Sequence, residues 1–87
     1  SPFGDLNKAL VLVQLNETGK AKQILNALKP EELEQRAYLL YGAYASLYEK
    51  TGEKDKAVSY LETAINAVKN DLERNYLFQK KENLLTS

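Results

Sequence analysis

The chain has 87 residues, 12 basic and 12 acidic side chains, and 44% hydrophobic residues, which is room for one domain with a modest core. It contains no cysteine and no histidine, so disulfides, thiolate nucleophiles, the usual zinc ligands and the usual general base are excluded. A formal net charge of zero argues against strong non-specific nucleic-acid binding, which rests on a Lys/Arg excess, and no run of about 18 apolar residues offers a membrane span.

No sustained apolar/polar alternation signals a strand. The 3-4 spacing of apolar residues predicts five helices instead. The first runs from about Asp5 to Glu17, with Leu6, Ala9, Leu10 and Val13 on one face and Val11 and Leu12 thickening it. Thr18-Gly19 ends it. The second, about Lys20 to Lys29, turns Ala21, Ile24, Leu25 and Leu28 inward. Pro30 forbids simple continuation and opens a third helix, about Pro30 to Lys50, whose start carries Glu31, Glu32 and Glu34, where the helix dipole favours them. They form no metal-ligand pattern and read as helix-start charges.

This third helix contains "YLLYGAYASLYEK", with tyrosines at 38, 41, 44 and 48. Tyr41, Tyr44 and Tyr48 read as packing positions with hydroxyls reaching the rim; Tyr38 reads equally as core or surface. Gly52 stops the helix. The fourth, about Lys54 to Lys69, presents Ala57, Val58, Leu61, Ala64, Ile65 and Val68. The fifth opens at Asn70, followed three residues on by Glu73, a capping-box pattern. Leu72, Tyr76, Leu77 and Leu84 are its expected apolar face.

The helices repeat. Leu6, Ala9, Leu10 and Val13 return 35 residues later as Tyr41, Tyr44, Ala45 and Tyr48, and Ala21, Leu25 and Leu28 return 36 residues later as Ala57, Leu61 and Ala64. A shorter first turn would account for the one-residue difference. The pattern resembles the tetratricopeptide repeat, in which small residues let helix backbones approach and large ones fill between them. The second copy matches well at Tyr41, Tyr44, Ala45, Tyr48, Gly52, Ala57, Leu61 and Ala64, although Lys69 stands where a Pro is usual. The first is degenerate, with Glu17 where Gly would fall. The expected architecture is all-α: residues 1–87 as a single tetratricopeptide-like domain of two helix pairs with a C-terminal capping helix.

A closer resemblance covers most of the chain. It is carried by "SP" and "LNKALVLVQL" (Ser1-Pro2, Leu6 to Leu15), "ILNAL" (Ile24 to Leu28), "YLLYGAYASLYEKTGEKDKAVSYLETAI" (Tyr38 to Ile65) and "NDLERNYLFQKK" (Asn70 to Lys81). Together they resemble the tetratricopeptide-like C-terminal extension of one group of bacterial extracytoplasmic-function sigma factors, sigma-24-like members of the sigma-70 family. Asn7-Lys8, Leu39-Leu40, Gly52, Asn70, Glu73, Arg74, Tyr76, Leu77 and Lys80 fall at family positions. Tyr41 departs from a frequent Pro and Gly42 from an Ala. The chain opens Ser-Pro and has no methionine, so we expect a piece of a longer protein.

The resemblance implies a cytoplasmic, non-enzymatic accessory domain in transcription initiation. It would contact other regions of the parent sigma factor, RNA polymerase or a regulator, and would not bind DNA, a membrane or a small-molecule substrate. The alternative is a generic tetratricopeptide adaptor for a peptide. Catalysis is not expected, since no nucleophile-base or metal set exists, and neither a cofactor nor a metal is implied. In tetratricopeptide geometry Asn7, Val11 and Gln14 would face the concave groove, with Leu39, Gly42, Ser46 and Glu49 at matching positions. These seven are the candidate partner-binding residues; the competing reading is a solvated helix face with a structural Asn. Gly42 reads either as room for a partner backbone or as a local packing contact. Glu73-Arg74 reads as a docking pair or as a capping box plus ion pair, and Lys80-Lys81 as a phosphate contact or a solvated helix end.

Overall fold

Ser1 starts the first helix. Its Oγ accepts a hydrogen bond from the Gly4 amide at 3.1 Å, and Pro2 brings the fixed φ of a first helical position. In the computed structural model, which describes residues 1–87, α1 therefore spans Pro2–Gln14, three residues earlier than its apolar pattern predicts. It ends early because Asn16 takes a left-handed φ of 63°. After this turn come α2 (Thr18–Ala27), a 3-10 segment (Pro30–Arg36), α3 (Tyr38–Thr51), α4 (Lys54–Ala67) and α5 (Asp71–Thr86).

The predicted third helix is thus broken. Pro30 opens a 3-10 turn rather than an α-helix, and Glu34 interrupts it at φ 54° and ψ −123°. The Glu31–Glu34 carboxylates are consequently not the first turn of a long helix. Glu32 instead closes the local turn by accepting from the Lys29 amide at 2.9 Å. The break lets Leu33 fold inward to 1% exposure, a core position with no helical period to announce it.

The two helix pairs share one turn design. Gly52 has φ 82°, and the Glu53 amide donates back to the Tyr48 carbonyl at 2.8 Å; the Glu17 amide does the same to Leu12, also at 2.8 Å. Ala57 N–H bonds Glu53 and Ala21 N–H bonds Glu17, both at 3.1 Å. Gly52 and Asn16, Glu53 and Glu17, Tyr48 and Leu12 are each separated by 36 residues. The repeat period is therefore 36 through the turn, and no shorter first turn exists. The left-handed position of the first pair is Asn16, not Glu17. The small residue corresponding to Ala45 is Ala9, and both are buried.

Packing follows from these small residues. α1 packs on α2 and α3, α3 on α4, and α4 on α5. One core cluster joins Leu6, Ala9, Val13, Ala21, Leu25 and Leu33 to Leu40, Ala43, Leu47, Tyr48 and Ala57. The other joins Ala45, Leu61, Ala64, Val68 and Leu77, and half-buried Tyr60 and Leu84 touch both. Ala9, Ala21, Ala57 and Ala64 are fully buried at 0% exposure, so a larger side chain at any of them would push helices apart. α3 lies in the middle and buries residues on two sides: Leu40, Ala43 and Leu47 join the first cluster, Ala45 the second, and Tyr48, in the first cluster, also stacks on Tyr60 of α4.

The α3 tyrosines are packing residues. Tyr48 is buried, while Tyr38 and Tyr41 rest against the second cluster and Tyr44 against the first. Tyr60 of α4, unremarked by its neighbours in the sequence, stacks on Tyr44 with ring centroids 4.8 Å apart and on Tyr48 at 5.7 Å. The Tyr44 hydroxyl donates to Asn26 Oδ1 on α2. Burial first, then neighbouring Tyr60 and Tyr48, raise the Tyr44 phenol above its ordinary pKa.

Candidate protein-interaction surface

α5 is seated by the residues that open it. Asn70 Oδ1 accepts from the Glu73 amide at 3.1 Å. Arg74 reaches the Asp71 carboxylate and the Val68 carbonyl, both at 2.6 Å, tying the helix to the end of α4. Asn70 is thus a simple N-cap: the Glu73 carboxylate makes no return bond to the Asn70 amide, so the expected capping box is not formed, while Arg74 is held in an ion pair. Lys81 is held as well. Its Nζ lies 3.9 Å from Glu62 on α4 and over the Phe78 ring, so it is no solvated helix end.

The face that α5 turns inward differs from the expected one. Leu77 is buried and Leu84 half-buried, as expected, but Leu72 is 81% and Tyr76 60% exposed. Leu77, Lys81 and Leu84 share the stripe against α4, and a helix has no room on that stripe for Leu72 or Tyr76. With Phe78 and Leu85, α5 leaves four large apolar side chains in solvent.

The candidate residues stand on two stripes. Asn7, Val11 and Gln14 are exposed on α1. Val11 adds nothing to the core, at 56% exposure. On α3, Leu39, Gly42 and Ser46 are half-buried and Glu49 exposed. The two stripes lie on packed helices, but the 36-residue register does not pair them. The register partners of Leu39, Gly42, Ser46 and Glu49 are Phe3, Leu6, Leu10 and Val13, and Leu6 and Val13 are buried. Gly42 is not required by packing, since no atom lies within 4 Å of where its Cβ would stand.

Glu49 ends the α3 stripe at a cleft of about 510 Å³ shared with Gly52, Lys54, Lys80, Asn83, Leu84 and Ser87. Lys54 Nζ there donates to the Ser87 carbonyl at 2.9 Å. Lys80 carries its ammonium 5.6 Å from the centre of the Tyr76 ring. Lys80 and Asn83 line this cleft from α5, and of the two only Lys80 was singled out by the sequence. No three His, Cys, Asp or Glu side chains come close enough to hold a metal ion, and no helix is long and apolar enough to cross a membrane.

The tetratricopeptide repeat family model matches residues 38–70, the span of α3 and α4. With an all-helical chain built of paired helices, this defines a tetratricopeptide-like helical repeat fold. Repeats of this kind are protein-interaction modules and are typically non-catalytic. No curated protein and no solved structure matches the chain.

Proposed function

We propose that the chain is the non-enzymatic C-terminal accessory domain of a bacterial extracytoplasmic-function sigma factor. In this reading it works in the cytoplasm and supports or regulates transcription initiation. Its contacts are with other sigma regions, RNA polymerase or a regulator, and it takes no cofactor and no small-molecule substrate. The observation that carries the reading is the ordered set of motifs from Ser1-Pro2 through Asn7-Lys8 and Leu39-Leu40 to Asn70, Glu73, Arg74, Tyr76, Leu77 and Lys80. Asn7, Val11 and Gln14 on α1 and Leu39, Gly42, Ser46 and Glu49 on α3 provide its partner surface. In this reading it does not bind duplex DNA directly, since its balanced charge offers no Lys/Arg excess to the phosphates. Contact inside one polypeptide has a high effective concentration, so a weak docking surface would be occupied.

The test is in vitro transcription with core polymerase. It compares the intact parent, the parent lacking residues 1–87, and the parent with Asn7→Ala and Ser46→Arg. We expect deletion to lower or abolish transcription and the double substitution to impair it with the helical signal intact. Full activity of the truncated parent would exclude a required positive role. A second reading, a peptide-binding adaptor in an unrelated protein, draws on the repeat match at residues 38–70. The sequence upstream of Ser1 separates the two, since a sigma factor would end there in a helix-turn-helix.

A further inference from the structure

The chain has six tyrosines but no cysteine, methionine, tryptophan or histidine. Thiols and thioethers, which ordinarily absorb an oxidant first, are therefore absent, as are indoles, and the phenols take their place. Three of the six phenols are gathered together. Tyr60 of α4 stacks on Tyr44 of α3 at 4.8 Å and 16° and on Tyr48 at 5.7 Å and 13°, while Tyr44 and Tyr48 lie 6.4 Å apart. Within this cluster the surroundings select one pair. Tyr48 is only 8% exposed, and the Lys22 and Lys56 ammoniums lie 5.6 and 5.1 Å from the centre of its ring. Two cations against that ring oppose removal of an electron from it. Tyr44 and Tyr60 are half-buried and make the closest stack of the three. The Tyr44 hydroxyl is held by its bond to Asn26 on α2. Burial first, then Tyr60 and Tyr48, raise that phenol, which sets the hydroxyl ends of the rings, and the ring carbons ortho to them, near one another.

We infer that Tyr44 and Tyr60 are an oxidative modification site, at which a peroxide acting through one-electron steps joins the two rings as a dityrosine and ties α3 to α4. Each phenol gives up one electron and its hydroxyl proton. The two radicals pair in a carbon–carbon bond between ring positions ortho to the oxygens. Each of those carbons then loses its hydrogen as a proton while its own phenolic oxygen gains one, so both hydroxyls are restored. The two electrons and two protons released reduce one O–O bond; hydrogen peroxide yields two waters. Rings stacked at 4.8 Å are close to van der Waals contact, so coupling needs a tilt of the rings and no separation of the helices. The new bond spans the helix pair of residues 38–70. It closes the chain between residues 44 and 60 and restricts the unfolded state as a disulfide does, but thiols do not reverse it.

The test illuminates the whole chain, dilute, with a ruthenium tris-bipyridyl photosensitiser and persulfate, a peroxide whose O–O bond takes the two electrons and leaves two sulfates. Dityrosine fluorescence measures the yield, and mass spectrometry of proteolytic fragments places the bond. We expect a cross-linked monomer whose fragments join Tyr44 to Tyr60 with the loss of two hydrogens, and a thermal midpoint above that of the untreated protein. Tyr44→Phe and Tyr60→Phe, which keep the stacked rings, should each cut the monomer yield tenfold or more, with circular dichroism unchanged. Tyr48→Phe and Tyr76→Phe should leave it within twofold. Urea that unfolds the wild type should abolish the Tyr44–Tyr60 product. Fragment mapping on the wild type decides the site even where a variant is poorly folded. No intramolecular product, a bond mapped to Tyr48, coupling only between chains, or a product that forms as well in urea would each overturn the inference.

Discussion

The two helix pairs use the same turn and the same alanines but differ in how they finish. α2 has 10 residues and α4 has 14. Where α4 passes through three residues into α5, α2 passes into the 3-10 segment with its break at Glu34 and its buried Leu33. The stripe that stays open on α3 is closed on α1, since Leu6 is 3% exposed where its register partner Gly42 is open. Repeat identity therefore resides in the turn hydrogen bonds and in Ala9/Ala45 and Ala21/Ala57. The surface a repeat exposes is decided by its neighbours. The family match falls on the second pair, which carries the stacked tyrosines; in the 36-residue register Tyr44, Tyr48 and Tyr60 stand opposite Lys8, Leu12 and Ile24.

If the 36-residue register is right, removing equivalent core side chains should hurt equally. Leu25 and Leu61 are register partners at 0% and 1% exposure. Leu25→Ala and Leu61→Ala should each cost about 2–5 kcal/mol in urea unfolding. A loss confined to one of the pair would break the equivalence. The next effect is overpacking: Ala21→Leu and Ala57→Leu should each cost about 1–3 kcal/mol, and a silent variant would mean that helix pair is looser than its 0% exposure implies.

What the sequence revealed follows from the same comparison. Five helices and their alanine seams were legible because 3-4 periodicity is strong in Leu6–Val13, Ala21–Leu28 and Ala57–Val68. The 35-residue alignment of the first helices failed because Leu10 and Ala45 both fit an apolar stripe; only the turn hydrogen bonds show that Ala9 matches Ala45. Leu33 was hidden because a 3-10 turn has no long period to follow. The α5 face was misread because apolar residues stand all round that helix, so Leu72 and Tyr76 fitted a stripe as well as Leu84 did. Of the candidate site, the α3 stripe was legible from spacing, but the α5 side of the cleft depended on which face Leu77 buries.

Backbone conformation sharpens the contrast at the connectors. Gly52→Ala should cost about 1–2 kcal/mol, because a side chain at φ 82° is strained. Asn16→Gly, at the partner position with φ 63°, should instead raise stability. Glu34→Gly should raise it by about 1 kcal/mol, the relief of a strained conformer less the added freedom of the unfolded chain. Thermal unfolding of the three variants reads all of these, and a destabilised Glu34→Gly would mean that the Glu34 side chain holds the break in place.

The smallest effect concerns charge at the two turns. Glu17–Lys20 and Glu53–Lys56 are register partners, at 3.3 and 3.0 Å. Glu53 has an extra partner: the Thr51 hydroxyl donates to it at 2.7 Å, whereas Leu15 stands at the Thr51 position of the first pair. The Thr51 hydrogen bond first, and then the one from Lys56, hold the Glu53 carboxyl below its ordinary pKa of 4.5. A carboxyl lowered in the folded state contributes stability above its unfolded pKa and loses it as pH falls through the folded value. The Lys56 ammonium is raised, by its hydrogen bond to Glu53 first, so its contribution is present below the ordinary lysine value and fades at higher pH. Both groups are fully exposed, so solvent screens them and the effect is small. Thermal midpoints followed downward from neutral pH should fall through the region below 4.5 more steeply in the wild type than in Glu53→Gln. Thr51→Val should remove more of that difference than Lys56→Gln, because the hydroxyl is the larger cause. Glu17→Gln, which loses no such hydroxyl contact, should change the acid limb less than Glu53→Gln. If it changes it as much, the two turns are electrostatically alike and Thr51 does not set them apart.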